Sequence, residues 1–357
     1  MLGAASREDL VRKLCLLAAA MTAVAGAPTV AVAADNHHLR VADYLPSGHF
    51  LSRYFTQVWM KRVGELTGGR VTFDYFPAEQ LGKAKDLLSL TQSGVTDVGL
   101  AAPSYITDKL PLTAVAELPG AFATSCEGTL ALWELLKEGR IIDKEELEPL
   151  RVRIVFGTLL PPYQMYIAKG PLNGIEAARS KKLRAAGGAR VLIAKRMGAV
   201  PVQMAAPELM ESLSRGTIDG LFLSHASIED YDLHHHLEYG TAKENFGAAV
   251  ILYVVNRKTW NSLPPDIKQA FDTAGDEVVR SGCAKTDKDS EDSMALIEKA
   301  GVKLVELPAA ERAKLTKLLS DVNREWATDL DRRGKAGSAV LGALEDAIKA
   351  KTVADQP

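Results

Sequence analysis

Arg184 holds the clearest chemical position in the chain. It stands at the end of the short strand predicted over Lys182–Ala185, immediately before Ala185-Ala186-Gly187-Gly188, and a helix is predicted from Ala189 to Met197. A guanidinium there can meet an anion together with a helix N-terminus, whose free N–H groups carry partial positive charge. On the residues alone, an anion anchor and an ordinary surface arginine stand level. A second cluster, His234-His235-His236 with Glu238, places an imidazole and a carboxylate four residues apart, a spacing that suits zinc on one helix face. Consecutive helical residues point in different directions, so only two of the three histidines can share a metal; a solvated surface helix is the favoured reading, with metal scavenging behind it. His37 and His38 are predicted to be flexible and solvated near the start of the mature chain.

The search for catalytic groups finds little. The chain has no G-x-S-x-G elbow, no G-x-x-x-x-G-K-[ST], no H-E-x-x-H and no strand-associated G-x-G-x-x-G. Cys126 and Cys283 have no histidine beside them in sequence, and no C-x-x-C spacing suggests a redox or zinc motif. The two cysteines would pair only if folding brings their α-carbons within about 7 Å, so a disulfide and two free thiols both stay open. A binder without cofactor or metal is expected, rather than an enzyme.

Composition sets the frame for these groups. The 357 residues are 47% hydrophobic and 25% charged, with 43 basic and 45 acidic side chains, so no strong field draws a polyanion and nucleic acid is not an expected partner. Arg7, Arg12 and Lys13 precede an uncharged apolar run from Leu14 to Ala27, with small residues at Ala31-Val32-Ala33. That is the pattern of a secretory signal peptide over residues 1–33, cleaved near Ala33 or Ala34, which predicts an exported protein. Cys15 would leave with it.

The elements that must position Arg184 alternate between strand and helix. Strands are predicted at Leu39–Leu45, Arg70–Phe76 and Asp97–Ala101, with helices at Leu51–Leu66 and Lys83–Ser93 between them. A second cycle follows: strands at 152–157 and 164–167, then Lys182–Ala185, a helix, Val200–Val202, a helix over 207–215, and Asp219–Leu223. Ala248 to Val255 is a continuous apolar strand candidate. Pro264 opens a long helix to about Ala300, and helix resumes after Val302–Leu307 and runs to near Ala350. The expected fold class is α/β: two mixed sheets flanked by helices, with a cleft between lobes and a long C-terminal helix. The expected division is residues 34–157 mainly in lobe 1, 158–250 mainly in lobe 2, and 251–357 returning across both.

Three stretches carry a resemblance. They are Val63-Gly64-Glu65-Leu66-Thr67-Gly68-Gly69-Arg70-Val71 with Tyr75-Phe76-Pro77-Ala78-Glu79-Gln80-Leu81-Gly82; Lys182-Leu183-Arg184 with Met197-Gly198-Ala199-Val200-Pro201-Val202 and Leu213-Ser214-Arg215-Gly216-Thr217-Ile218-Asp219-Gly220; and Val255-Asn256-Arg257-Lys258-Thr259-Trp260-Asn261-Ser262-Leu263-Pro264-Pro265. Taken in order, they resemble the substrate-binding protein of a tripartite ATP-independent periplasmic (TRAP) transporter over about Leu39 to Val340. The resemblance implies a two-lobed receptor that closes over a small organic anion and hands it to membrane permease subunits. It also implies that Arg184 pairs with the ligand carboxylate, a match of two-pronged donor to two-pronged acceptor. A periplasmic sensor for a signalling partner, and an exported hydrolase or isomerase, are the other readings.

The departures from the family pattern shape the expected ligand. Where many members continue from Asp-Gly into Q-E-N-P, this chain has Leu221-Phe222-Leu223-Ser224-His225, and the segment that carries a second arginine in some members reads Pro161-Pro162-Tyr163-Gln164-Met165-Tyr166. A single cationic anchor, with Tyr44, His49, Tyr105, Tyr163, Gln164, Ser224 and His225 as the other candidate contacts, suits a monocarboxylate with an apolar or aromatic body.

Overall fold

The computed structural model describes residues 35–354; the expected signal peptide, its cleavage point and Cys15 lie outside the described residues. Two mixed sheets organise the chain. The first has the order β2-β1-β3-β10-β4, built from β1 (His37–Ala42), β2 (Val71–Phe76), β3 (Val98–Ala101), β4 (Val152–Leu159) and β10 (Val250–Asn256). β1 runs parallel to β2 and β3, while β10 lies antiparallel between β3 and β4. Every residue of β3, β4 and β10 is buried, as strands covered on both faces must be.

The second sheet has the order β11-β9-β5-β8-β6-β7: β5 (Gln164–Ile167), β6 (Lys182–Arg184), β7 (Val200–Val202), β8 (Gly220–Leu223), β9 (Tyr239–Thr241) and β11 (Lys303–Val305). Two of the segments that pass between the sheets lie side by side: Leu160 N–H donates to Ala249 O (2.9 Å) and Tyr163 N–H to Gly247 O (2.7 Å). The 35-residue helix Pro265–Lys299 packs on the helices Gln57–Leu66 and Ser125–Leu136 beside the first sheet, and on His225–Asp230, which follows β8 of the second. The long helix therefore touches both halves. Among the described residues no helix is long and apolar enough to cross a membrane.

Several boundaries differ from the sequence reading for local reasons. β1 stops at Ala42, not Leu45, because the Asp43 carboxylate folds back to accept the Leu45 N–H at 2.8 Å. The helix expected from Lys83 begins at Leu87, since Glu79 holds the Ala84 amide at 2.8 Å in a preceding turn; it ends at Gly94, in the left-handed conformation with φ 79°. Helix after 307 is interrupted at Gly334 and forms Ala309–Arg332 and Gly337–Ala354. His37 and His38 are not a loose end: they open β1, and His38 bonds Thr72 Oγ1 (2.8 Å) and Asp74 Oδ2 (2.6 Å). Cys126 and Cys283 form a disulfide, with α-carbons 4.5 Å apart, that staples Ser125–Leu136 to the long helix.

The histidine triplet lies in a 3-10 turn, Leu233–His236, rather than an α-helix. Glu238 is not its partner, because its carboxylate accepts the Gly170 N–H at 3.0 Å. His234 and His235 instead turn Nε2 to one oxygen of exposed Asp232, at 3.4 and 3.5 Å.

Candidate functional site

β6 ends at Arg184, which is held between β7 and β8 opposite Val202 and Leu221. The side chain is 1% exposed. Its Nε donates to Met204 O (3.1 Å), Nη1 to Phe222 O (3.4 Å) and Nη2 to the Tyr105 hydroxyl (3.3 Å). All three acceptors are neutral, and among the described residues no carboxylate pairs with this guanidinium. Tyr105 comes from the other half of the molecule, in the 3-10 turn that follows β3. Its oxygen accepts from Ala206 N–H (3.0 Å) as well as from Arg184, so its own proton is left to donate. An arginine and a phenol donor thus converge without an anion supplied by the fold, where an unpaired buried charge is costly.

Tyr105 also lines a cavity between the two sheets. Tyr44, His49 and Ser104 line it from the first half, Ala186, Leu223, Ser227 and Tyr231 from the second, and Tyr163 from a crossing segment. The space among these side chains is narrow. Tyr44 and Tyr105 meet edge to face with centroids 5.5 Å apart, and His49 and Tyr231 tilt together at 5.4 Å. Burial lifts the Tyr163 phenol to about 12, with Arg190 and Arg184 opposing, and pushes Tyr44 and Tyr231 up as well, so these hydroxyls stay neutral.

Beneath the cavity, Asp43 anchors the loop that presents Tyr44. Its carboxylate accepts from the Tyr253 and Tyr75 hydroxyls and the Leu45 amide; burial outweighs these donors and raises its pKa to about 6. At the rim, Phe50 N–H donates to Asp230 Oδ2 at 2.7 Å, a bond from the loop after β1 to the helix after β8.

The structure thus gathers Tyr44, His49, Tyr105 and Tyr163 around one cavity; Arg184 is not in that lining and adjoins it through its bond to the Tyr105 hydroxyl. It places Gln164, Ser224 and His225 outside that lining. Gln164 bridges a loop, its Oε1 accepting from Thr241 Oγ1 (2.7 Å) and Glu244 N–H (3.0 Å). Ser224 caps the helix His225–Asp230 by accepting from Ser227 N–H. His225 has both ring nitrogens engaged, with the Tyr166 hydroxyl and with Ala242 O.

Sequence reasoning missed Arg190 and Tyr231. Arg190, also 1% exposed, pairs with Glu117 (3.3 Å), donates to Ser104 Oγ and Ala248 O, and lies 5.0 Å from the Tyr163 ring centroid. It pins the place where the two crossing segments meet. The available signal was its spacing to Ile193 and Ala194, which puts an arginine on the apolar face of its helix.

Comparison with known proteins agrees with this architecture. The chain is 24% identical over 334 residues to the outer membrane transporter protein TsaT of Comamonas testosteroni, covering 92% of this chain and 96% of that one. A TRAP solute-binding protein from Rhodoferax ferrireducens T118, solved in complex with copurified benzoate, superposes with TM-score 0.81 at 21% identity, over 89% of this chain and 99% of its own. A marine metagenome TRAP solute-binding protein from an unidentified microbe, specific for aromatic acids and solved with 3-hydroxybenzoate, gives 0.82 at 20% identity, over 88% and 98%. At these identities the structural likeness speaks for the fold alone. The model of the bacterial extracellular solute-binding proteins, family 7, matches residues 41–329. The chain therefore belongs to that family, the solute receptors of TRAP transporters, which are transport receptors rather than enzymes.

Proposed function

We propose that the chain receives an aromatic or apolar monocarboxylate in the cavity between its sheets, with Arg184 as the carboxylate partner. The observation that carries this is the contrast between two equally buried arginines: Arg190 has Glu117, whereas Arg184 has only neutral acceptors. A ligand carboxylate completes Arg184 and takes the free Tyr105 proton, both as charge-assisted bonds. The tyrosine-lined wall suits a flat apolar body, and benzoate and 3-hydroxybenzoate in the two structural relatives are of that class.

Binding works as a population shift. Arg184 lies in the second sheet and Tyr105, Tyr44 and His49 on the first half, so a ligand gains its second set of contacts only when the cavity shuts. The long helix, in contact with both halves, resists or restores that motion. The closed form then presents the ligand to TRAP permease subunits in the inner membrane. The mature periplasmic chain starts near Ala34, with lobe 1 mainly 34–157, lobe 2 mainly 158–250, and 251–357 returning across both.

The test is a thermal-shift screen of the mature protein against aromatic, 2-oxo and hydroxy acids, with and without chelator. A ligand at about 100 times its dissociation constant adds about 2.7 kcal/mol, a rise of several degrees. Stabilisation by a carboxylate in wild type and not in Arg184→Met supports the assignment; equal stabilisation of both defeats it.

A further inference from the structure

Two residues that line the cavity carry polar atoms that the protein leaves without partners. His49 is 2% exposed, and its Nε2 has no hydrogen-bond partner; neither has the buried hydroxyl of Tyr231. Both residues line the cavity, with ring centroids 5.4 Å apart. The other imidazole nitrogen is committed: Nδ1 accepts the Leu51 N–H at 3.2 Å, with the Asp230 carboxylate 3.7 Å away. An accepting Nδ1 puts the ring proton on Nε2, so the ring atom left without a partner is a donor. Burial, assisted by Arg53, holds the His49 pKa down at about 3, so the ring is neutral and this tautomer persists across the physiological range.

A simple apolar acid cannot use this pair. Its carboxylate is taken by Arg184 and Tyr105, and closing the cavity over its hydrocarbon would seal the imidazole N–H and the phenol away from any acceptor, at a cost. We infer that His49 and Tyr231 form a second, neutral polar subsite, and that the preferred ligand is an aromatic carboxylate bearing one further oxygen, which accepts from His49 Nε2–H and bonds the Tyr231 hydroxyl. The oxygen can belong to the ring or to the carbon next to the carboxylate; the shared chemistry is a neutral acceptor held apart from the carboxylate. This inference rests on the carboxylate-receptor reading and adds a requirement to it.

Calorimetric titration of the mature protein with benzoate, 3-hydroxybenzoate, 4-hydroxybenzoate and mandelate tests it, the hydroxybenzoates representing a ring oxygen and mandelate a side-chain oxygen. At least one oxygenated acid is expected to bind about ten- to a hundredfold more tightly than benzoate. His49→Phe and Tyr231→Phe should each weaken the oxygenated acid more than benzoate and so shrink that ratio toward one, a pattern that general damage to the cavity, which lowers both affinities alike, would not produce. Thermal unfolding establishes that the variants fold, and Tyr231→Phe, which removes only an oxygen, carries the test if His49→Phe does not. Benzoate binding that depends on Arg184 and matches every oxygenated acid would overturn the subsite and leave the receptor reading standing. Failure of every carboxylate to bind would defeat both. A preference for oxygenated acids that survives both substitutions also overturns the inference.

Discussion

Replacing each of the two buried arginines with methionine should separate binding from stability. Both side chains are 1% exposed, so the change in buried volume is similar, and what differs is the company each guanidinium keeps. Arg184→Met deletes a cation whose acceptors are two carbonyls and a phenol at 3.1–3.4 Å. The loss of these bonds is offset by relief of an unpaired buried charge, so the unfolding temperature of the ligand-free protein should stay within about 2 °C of wild type or rise. Ligand affinity should fall by about 2–5 kcal/mol, or roughly 30- to 5,000-fold, because the carboxylate loses its charged partner. Arg190→Met leaves Glu117 buried where the crossing segments meet. Breaking such a pair costs about 3–5 kcal/mol. Glu117 keeps the Ser104 hydroxyl at 2.6 Å and the Val250 amide at 3.1 Å, which holds the cost toward the lower figure. With about 2.1 cal/mol/K of unfolding entropy per residue, a chain of this length loses roughly 1.5 °C per kcal/mol, so a fall of about 4–8 °C is expected. Differential scanning calorimetry and titration calorimetry read the two effects. Undiminished affinity in Arg184→Met, or an unmoved transition in Arg190→Met, would refute the contrast.

Three further outcomes are expected. Replacing both Cys126 and Cys283 with alanine should lower stability by about 2–5 kcal/mol, since the bond joins residues 157 apart in sequence, and dithiothreitol should reproduce the shift in wild type only; identical urea midpoints would contradict this. Gly187 packs so closely on the Ser104 carbonyl that a Cβ would collide with it across the cavity mouth, so Gly187→Ala should weaken ligand binding about tenfold or more by propping the halves apart, and an unchanged dissociation constant would count against that role. The Asp43 carboxyl is raised from 3.8 to about 6 by burial, so its stabilising contribution is full below about pH 4 and is lost as pH climbs through about 6, at most roughly 3 kcal/mol. Asp43→Asn removes that dependence: measured by urea unfolding, the stability difference between variant and wild type should move in the variant's favour between about pH 4.5 and pH 7.5, and a constant difference would refute the assignment.

Much of the fold was legible because the strands are short, mostly apolar runs bounded by Gly, Pro and Asp, and β4, β5 and β10 are buried throughout, with Val250–Val255 reading as an uninterrupted hydrophobic segment. What was hidden is set by side-chain direction and by non-local contact. Gln164, Ser224 and His225 sit at strand ends, which the sequence reveals; that their polar atoms turn to Thr241, Ser227 and Tyr166 depends on how distant segments stack. Ser224 did carry a readable sign, since a serine immediately before a helix is more often its cap than a contact. Arg184 was singled out by its position and by a family motif, while the lack, among the described residues, of a carboxylate to pair with it is visible only in three dimensions. The mature cysteines illustrate the same limit: composition leaves two thiols, and only folding decides that their α-carbons come within 4.5 Å.

The position of β10 has a consequence for how the chain acquires its shape. Residues 250–256 are wedged between β3 and β4, so these two strands, complete by residue 159, have no edge to share until the chain returns nearly a hundred residues later. A polypeptide emerging from its N-terminus thus carries an unfinished first sheet through most of its synthesis. Such long-range closure slows folding, because loop entropy must be overcome before the pairing rewards it. In a member of a family of extracellular proteins, the first sheet thus stays open until the last third of the chain has been made.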